Sequence, residues 1–176
     1  MSRPLHESVL ALSAFSRGFA FVLFEGPNNP FDWGVKEIRD RQKNIPTLQG
    51  IKELVDRYRP EVIVITDLTN NGSKQAVRIE KLHRMIKHLA GTEYVELFEF
   101  PRSAVKQYFE PAGSTTKYEI AKVIAQQIPA FAHRQPPYRK AWMSADPRQY
   151  LFDAAALALV FYGSRGIPSP IDQINV

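Results

Sequence analysis

Two apolar runs at the start of the chain, Val9–Leu12 and Phe19–Phe24, are parted only by a short break that carries Arg17 and Gly18. A parallel strand pair needs a crossover of about a dozen residues or more, so so short a break admits only an antiparallel pair. Residues 8–14 and 18–25 therefore read as a hairpin. The stretch Gly26-Pro27-Asn28-Asn29-Pro30 punctuates the chain again, and a third strand follows over about 31–38.

The periodicity then changes. Leu48, Ile51, Leu54, Val55 and Tyr58 recur at spacings of three and four, which predicts a helix over 47–58 closed by Pro60. Val62-Ile63-Val64-Ile65 is continuously apolar, as in a strand covered on both faces. A helix over 73–90 buries Ala76, Ile79, Leu82, Ile86 and Leu89, with Gly91 at its C-cap. Tyr94 to Phe100 gives a fifth strand, and a short helix covers 102–109. Thr116-Lys117-Tyr118-Glu119 fits a capping box opening a helix to about Gln127. The Pro-rich segment from Pro129 to Trp142 reads as irregular. Asp146-Pro147 is an N-cap and first-turn pair for a last helix ending at Tyr162, before Gly163.

The order β-β-β-α-β-α-β-α-α-α predicts an α/β domain. Its mixed five-stranded sheet has three antiparallel strands, then strands alternating with helices, and helices cover both faces. The 176 residues suit a single domain over 1–176, with a core over about 8–163 and a loose tail over 164–176.

No apolar stretch approaches the roughly 18 residues of a membrane span, and Met1 to Glu7 opens no signal-peptide core. The chain has no cysteine, which excludes disulfides and thiolate metal sites. Its four histidines form no HxxxH pair, which argues against a zinc enzyme. The expectation is a cytoplasmic protein with no membrane partner.

The net charge of +5 suits a polyanion partner, provided that the cations are grouped. Lys74, Arg78, Lys81, Arg84 and Lys87 lie on the helix over 73–90, mostly off its apolar stripe. Such a face binds phosphates or is simply solvated. Arg102, Lys106 and Lys117 extend the positive set. Tyr138-Arg139-Lys140-Ala141-Trp142 interleaves cations with aromatics, which suits stacking on nucleic acid; a loop capping the core is the competing account.

Asp153 is the only charge between Tyr150 and Tyr162. An ionised carboxylate among apolar neighbours is costly unless paired or metal-bound. Asp67 follows the apolar strand at its C-terminal end, where α/β sheets place ligands; an Asx-turn is the alternative. Asp146 lies seven residues before Asp153, about two helical turns away, and has a ready role as N-cap beside that of a third ligand. Oxygen-only clusters suit Mg²⁺ or Mn²⁺ and the hydrolysis of phosphodiesters. Asn70-Asn71-Gly72-Ser73-Lys74 lacks the spacing of a phosphate-binding P-loop.

These features resemble the RuvC-type Holliday junction resolvases of the RNase H-like superfamily. The local matches are Ser13-Ala14-Phe15-Ser16-Arg17-Gly18-Phe19-Ala20, Ile63-Val64-Ile65-Thr66-Asp67, Thr116-Lys117-Tyr118-Glu119-Ile120-Ala121 and Phe152-Asp153-Ala154-Ala155-Ala156-Leu157-Ala158. The resemblance implies a Mg²⁺-dependent endonuclease acting as a homodimer on branched or duplex DNA, with four acids at its site. Ser13 stands in the place of the first acid and Asp67 in that of the second. Of the last-helix pair, Tyr150 stands at the first place and Asp153 at the second, with Asp146 as a substitute one turn earlier. Asp32, on the third strand, is a further acid within conceivable reach. Lys117 corresponds to a lysine that faces DNA phosphates. A serine hydroxyl brings no charge to a metal, so the resemblance leaves two outcomes: a weakened nuclease on Asp67 and Asp153, or a non-catalytic nucleic-acid-binding protein. The superfamily's ATPase branches need glycine-rich phosphate loops that Ser13–Gly18 and Asn70–Lys74 do not supply.

Overall fold

A computed structural model describes residues 6–68, 74–140, 142–169 and 171–172, and of residues 74–76 the backbone alone. The elements run β1 (Val9–Phe15), β2 (Gly18–Phe24), β3 (Pro30–Glu37), α1 (Asn44–Tyr58), β4 (Val62–Thr66), α2 (Lys74–Thr92), β5 (Glu96–Phe100), α3 (Arg102–Phe109), α4 (Lys117–Gln127) and α5 (Pro147–Ser164). Short 3₁₀ turns follow α3 and α4. The sheet order is β3-β2-β1-β4-β5. The β1–β2 and β2–β3 pairs are antiparallel, and β1–β4 and β4–β5 are parallel.

Strand alternation sorts the core into two layers. Val9 and Ala11 of β1 face α4 and α5, where they pack with Phe152, Ala155 and Leu159. Leu10 and Leu12 face α1 and α2, with Ile51, Leu54, Leu82 and Ile86. Each fully buried Leu, Ile or Phe contributes about 1.5–3 kcal/mol of transfer free energy. The last helix is apolar nearly all round because it crosses the sheet beneath α4 and α3. Tyr162 fixes its far end: the buried phenol donates to the Glu7 carbonyl at 2.7 Å and accepts from the Gly26 N–H at 3.0 Å. Gly18 is required where β2 meets β3, since a Cβ there would lie 1.8 Å from the Lys36 carbonyl oxygen.

Two expectations change. Gly91 does not end α2. The helix runs to Thr92, and Tyr94 takes the left-handed conformation at φ 56°. The Val95 N–H bonds the Ala90 carbonyl at 2.9 Å and the Tyr94 N–H bonds that of Gly91 at 3.4 Å, a Schellman closure built on a tyrosine. Gly163 does not end α5 either. It lies inside the helix, at a position where a side chain would meet the Tyr108 ring at 2.6 Å. Gly166, at φ 72°, closes the helix instead, with Ile167 N–H on the Tyr162 carbonyl at 3.0 Å. In the described part of the tail expected to be loose, Ser169 and Ile171 are buried, and Ser169 Oγ lies 2.6 Å from the Tyr108 hydroxyl. The segment 70–73, the side chain of Lys74 and that of Ala76 lie outside the described residues.

Candidate functional site

The parallel strands β1 and β4 end side by side at the sheet's centre, and α5 crosses in front of them. A cleft of about 540 Å³ opens there, lined by Ser13, Asp67, Lys117, Tyr150 and Asp153, with Arg102 and Lys106 along the α3 wall. This is the C-terminal edge at which α/β sheets present ligand sites. Alternation aims Ser13 to the same side as Val9 and Ala11, toward α5. Asp67 directly follows β4, and its N–H donates to the Phe100 carbonyl at 2.9 Å, tying it to the end of β5.

Asp153 interrupts the apolar face of α5 at the cleft. Its carboxylate accepts from Lys117 Nζ at 3.2 Å and from Gln149 Nε2 at 3.1 Å. Lys117 is the first residue of α4 and is held there by the capping box. Thr116 Oγ1 accepts from the Glu119 N–H at 3.2 Å, and the Glu119 carboxylate accepts from the N–H groups of Thr116 and Thr115. Those backbone bonds to Thr115 and Thr116 lower the Glu119 pKa below the ordinary carboxylate value. The Lys117 ammonium also stands 5.8 Å over the Tyr150 ring. Tyr150 stacks in turn on Phe15, with centroids 4.2 Å apart and planes 2° apart. Burial raises the Tyr150 pKa, so its hydroxyl keeps its proton at neutral pH.

His83 is a cleft residue that the sequence reading did not single out. It is only 7% exposed, and burial pushes its pKa down to about 4, so the imidazole is neutral. The signal was present: position 83 lies four after Ile79 and three before Ile86, on the stripe that α2 buries.

Other candidates are drawn elsewhere. Asp146 caps α5, accepting from the Arg148 N–H at 2.9 Å, and pairs with the Arg148 guanidinium at 2.8 Å and that of Arg139 at 3.7 Å. The Arg148 bonds lower its pKa. Capping turns this carboxylate back onto its own helix end, and it does not line the cleft. Asp32 accepts from the Tyr58 hydroxyl of α1 and from the Trp33 N–H, on an outer strand of the sheet. Arg78 is structural: its guanidinium donates to the Phe15 carbonyl at 2.9 Å and to Asn44 Oδ1 at 3.0 Å, joining α2 to the β1–β2 turn and α1. Lys81 is exposed but outside the cleft lining. Arg139 holds the Ser144 carbonyl at 3.1 Å, and Lys140 stands over the Trp142 ring.

The donor set falls short of the four acids that the resemblance implies for a Mg²⁺ or Mn²⁺ centre, with Asp67 and Asp153 the two expected acids that line the cleft. Ser13 is neutral, Asp146 is tied to arginines, Tyr150 brings a protonated phenol, and Asp153 already holds an ammonium. Among the described residues, no three or more His, Asp or Glu side chains are placed to hold a metal ion. The arrangement can instead present the cations Arg102, Lys106 and Lys117 to an anionic ligand, as sites for phosphate oxygens.

No protein-family model and no curated protein sequence matches the chain. Solved structures do. A Thermus thermophilus RuvC structure superposes with a TM-score of 0.65 at 17% identity, covering 91% of this chain and 97% of that one. The fold is that of RuvC. A second T. thermophilus RuvC structure, in complex with a Holliday junction substrate, gives 0.66 at 17% identity over 92% and 98% of the two chains. The yeast mitochondrial Holliday junction resolvase Ydc2 gives 0.64 at 11% identity over 99% and 84%. The RNase H-like α/β architecture expected from the sequence is thus the one observed. Within that RuvC fold, Asp67 and Asp153 share a cleft with Ser13, while Asp146 and Asp32 stay out of it.

Proposed function

We propose that the chain is a non-hydrolytic DNA-binding protein that takes branched DNA into its cleft through phosphate contacts from Lys117, Arg102 and Lys106. The observation that carries this reading is the Lys117–Asp153 pair. Two-metal hydrolysis needs carboxylates directed at the ions. Here the α5 carboxylate is directed at a lysine, which leaves a cleft with cations along its wall. Neutralising phosphates with such groups releases counterions and drives binding without metal. Branched DNA is the preferred form because a RuvC structure of the same fold is in complex with a Holliday junction substrate. A homodimer belongs to this reading, since a four-way junction offers two symmetry-related positions.

One observation favours the nuclease alternative: Asp67 and Asp153 line one cleft. A single experiment separates the two. Labelled four-way junction and matched duplex are incubated with the protein in EDTA, Mg²⁺ or Mn²⁺, and both retardation and products are read. The proposal expects retardation in EDTA, stronger for the junction, with no cut product in any condition. Metal-dependent cutting that Asp153→Asn abolishes would establish the nuclease instead. No retardation at low salt would defeat both.

A further inference from the structure

From Ile120 to Ala145 the sequence contains no acid, but it does contain Lys122, Arg134, Arg139 and Lys140. Within that stretch Tyr138 is 69% exposed and Trp142 79% exposed, the most open large rings on this segment. Tryptophan and tyrosine bury large apolar area when covered, and they are favoured where one end of the ring meets a ligand.

The segment is anchored rather than loose. Phe131 is buried against Trp33 and Phe152, and Pro136 is buried five residues later. Tyr138 sets its ring edge-on to Tyr118 at 5.3 Å. Tyr118 directly follows Lys117 in α4, so the paired rings stand one helix position from a residue of the cleft wall. Arg139 is held by the Ser144 carbonyl and Asp146, and a Met143 N–H to Lys140 carbonyl bond of 3.0 Å closes the turn that presents Trp142. The two flanking acids are already engaged, Glu119 in its capping box and Asp146 by two arginines. The patch thus combines fixed open rings with cations, which matches a ligand carrying both flat bases and phosphates. A protein partner would cover the rings without requiring the cations.

We propose that Tyr138 and Trp142, flanked by Arg139 and Lys140, form a stacking platform for the unpaired bases of single-stranded DNA leaving the cleft. This deepens the DNA-binding reading and rests on it. The platform supplies affinity for unpaired nucleotides, while the cleft holds the duplex phosphates.

The test compares a blunt duplex with the same duplex carrying a single-stranded dT tail or an rU tail. Binding and tryptophan emission are followed for wild type, Trp142→Ala, Trp142→Phe and Lys117→Met. Stacking is worth enough per base that the dT tail should tighten wild-type binding by about fivefold or more and quench the emission. Trp142→Ala should lose that gain and Trp142→Phe should keep most of it, with unchanged far-ultraviolet circular dichroism. No gain from the tail, or a gain that survives Trp142→Ala, overturns the platform. So does a gain seen only with the rU tail, or a shift from dimer to monomer in Trp142→Ala on sedimentation. If the blunt duplex binds through Lys117 and the tail adds nothing, the platform fails and the cleft reading stands. If only the tail binds, with no effect of Lys117→Met, the cleft reading fails and the platform stands.

Discussion

Replacing Lys117 with methionine keeps the length of the side chain and removes one charge from the cleft. The side chains of Lys117 and Asp153 are 44% and 23% exposed, so their ion pair contributes no more than about 1 kcal/mol to stability. The variant should therefore fold. Its effect on DNA binding is larger. One lost phosphate contact lowers the slope of log K against log salt by about 0.9, which at about 0.1 M salt is roughly an eightfold loss of affinity. The loss has a second source, because Asp153 would then face phosphates with Gln149 as its remaining side-chain donor among the described residues. The double variant Lys117→Met/Asp153→Asn separates the two. A lost phosphate contact leaves the double variant as weak as the single one, whereas repulsion from Asp153 predicts recovery. Fluorescence anisotropy across a salt series in EDTA measures both slope and affinity, and calorimetry with Mn²⁺ gives an independent reading. With the ammonium gone, the variant should bind Mn²⁺ more tightly than wild type. An unchanged salt slope together with tight Mn²⁺ binding by wild type would refute the assignment of Lys117 as the cleft's cation.

His83 makes stability depend on pH. Its folded-state pKa of about 4 lies below the ordinary 6.5, so its contribution is complete above about pH 6.5 and is lost as pH falls toward 4. The unfolded chain takes up the proton first, and the full difference is on the order of 3 kcal/mol. The wild type's urea-unfolding free energy relative to that of His83→Phe should therefore fall between neutral pH and about pH 4.5, and a pH-independent difference would contradict the burial argument. Tyr162→Phe removes the hydroxyl shared by Glu7 and Gly26. It should cost about 2 kcal/mol and lower Tm by about 4–8 °C, as read by calorimetry; an unchanged Tm would show that water replaces the hydroxyl.

The order of elements was legible because it rests on local physics. Apolar alternation set the two layers of β1, three- and four-residue spacing set α1 and α2, and Thr116 and Asp146 announced the starts of α4 and α5 by capping bonds to their own neighbours. The ends of helices were less legible. A glycine is compatible with both a C-cap and a close packing contact, and only the Tyr108 ring decides that Gly163 serves the second purpose and Gly166 the first. The site divides in the same way. The sequence placed Ser13, Asp67 and Asp153 at positions that the sheet brings to one cleft, because strand ends and helix faces follow from periodicity. It did not determine that Asp153 would meet Lys117, 36 residues earlier, or that Arg78 would be taken by Phe15 and Asn44. Those outcomes depend on which charges packing brings within about 3 Å and which it leaves in water, since the Coulomb energy and the desolvation cost both change steeply over that distance. Tertiary structure alone therefore decided that the carboxylate of α5 faces an ammonium.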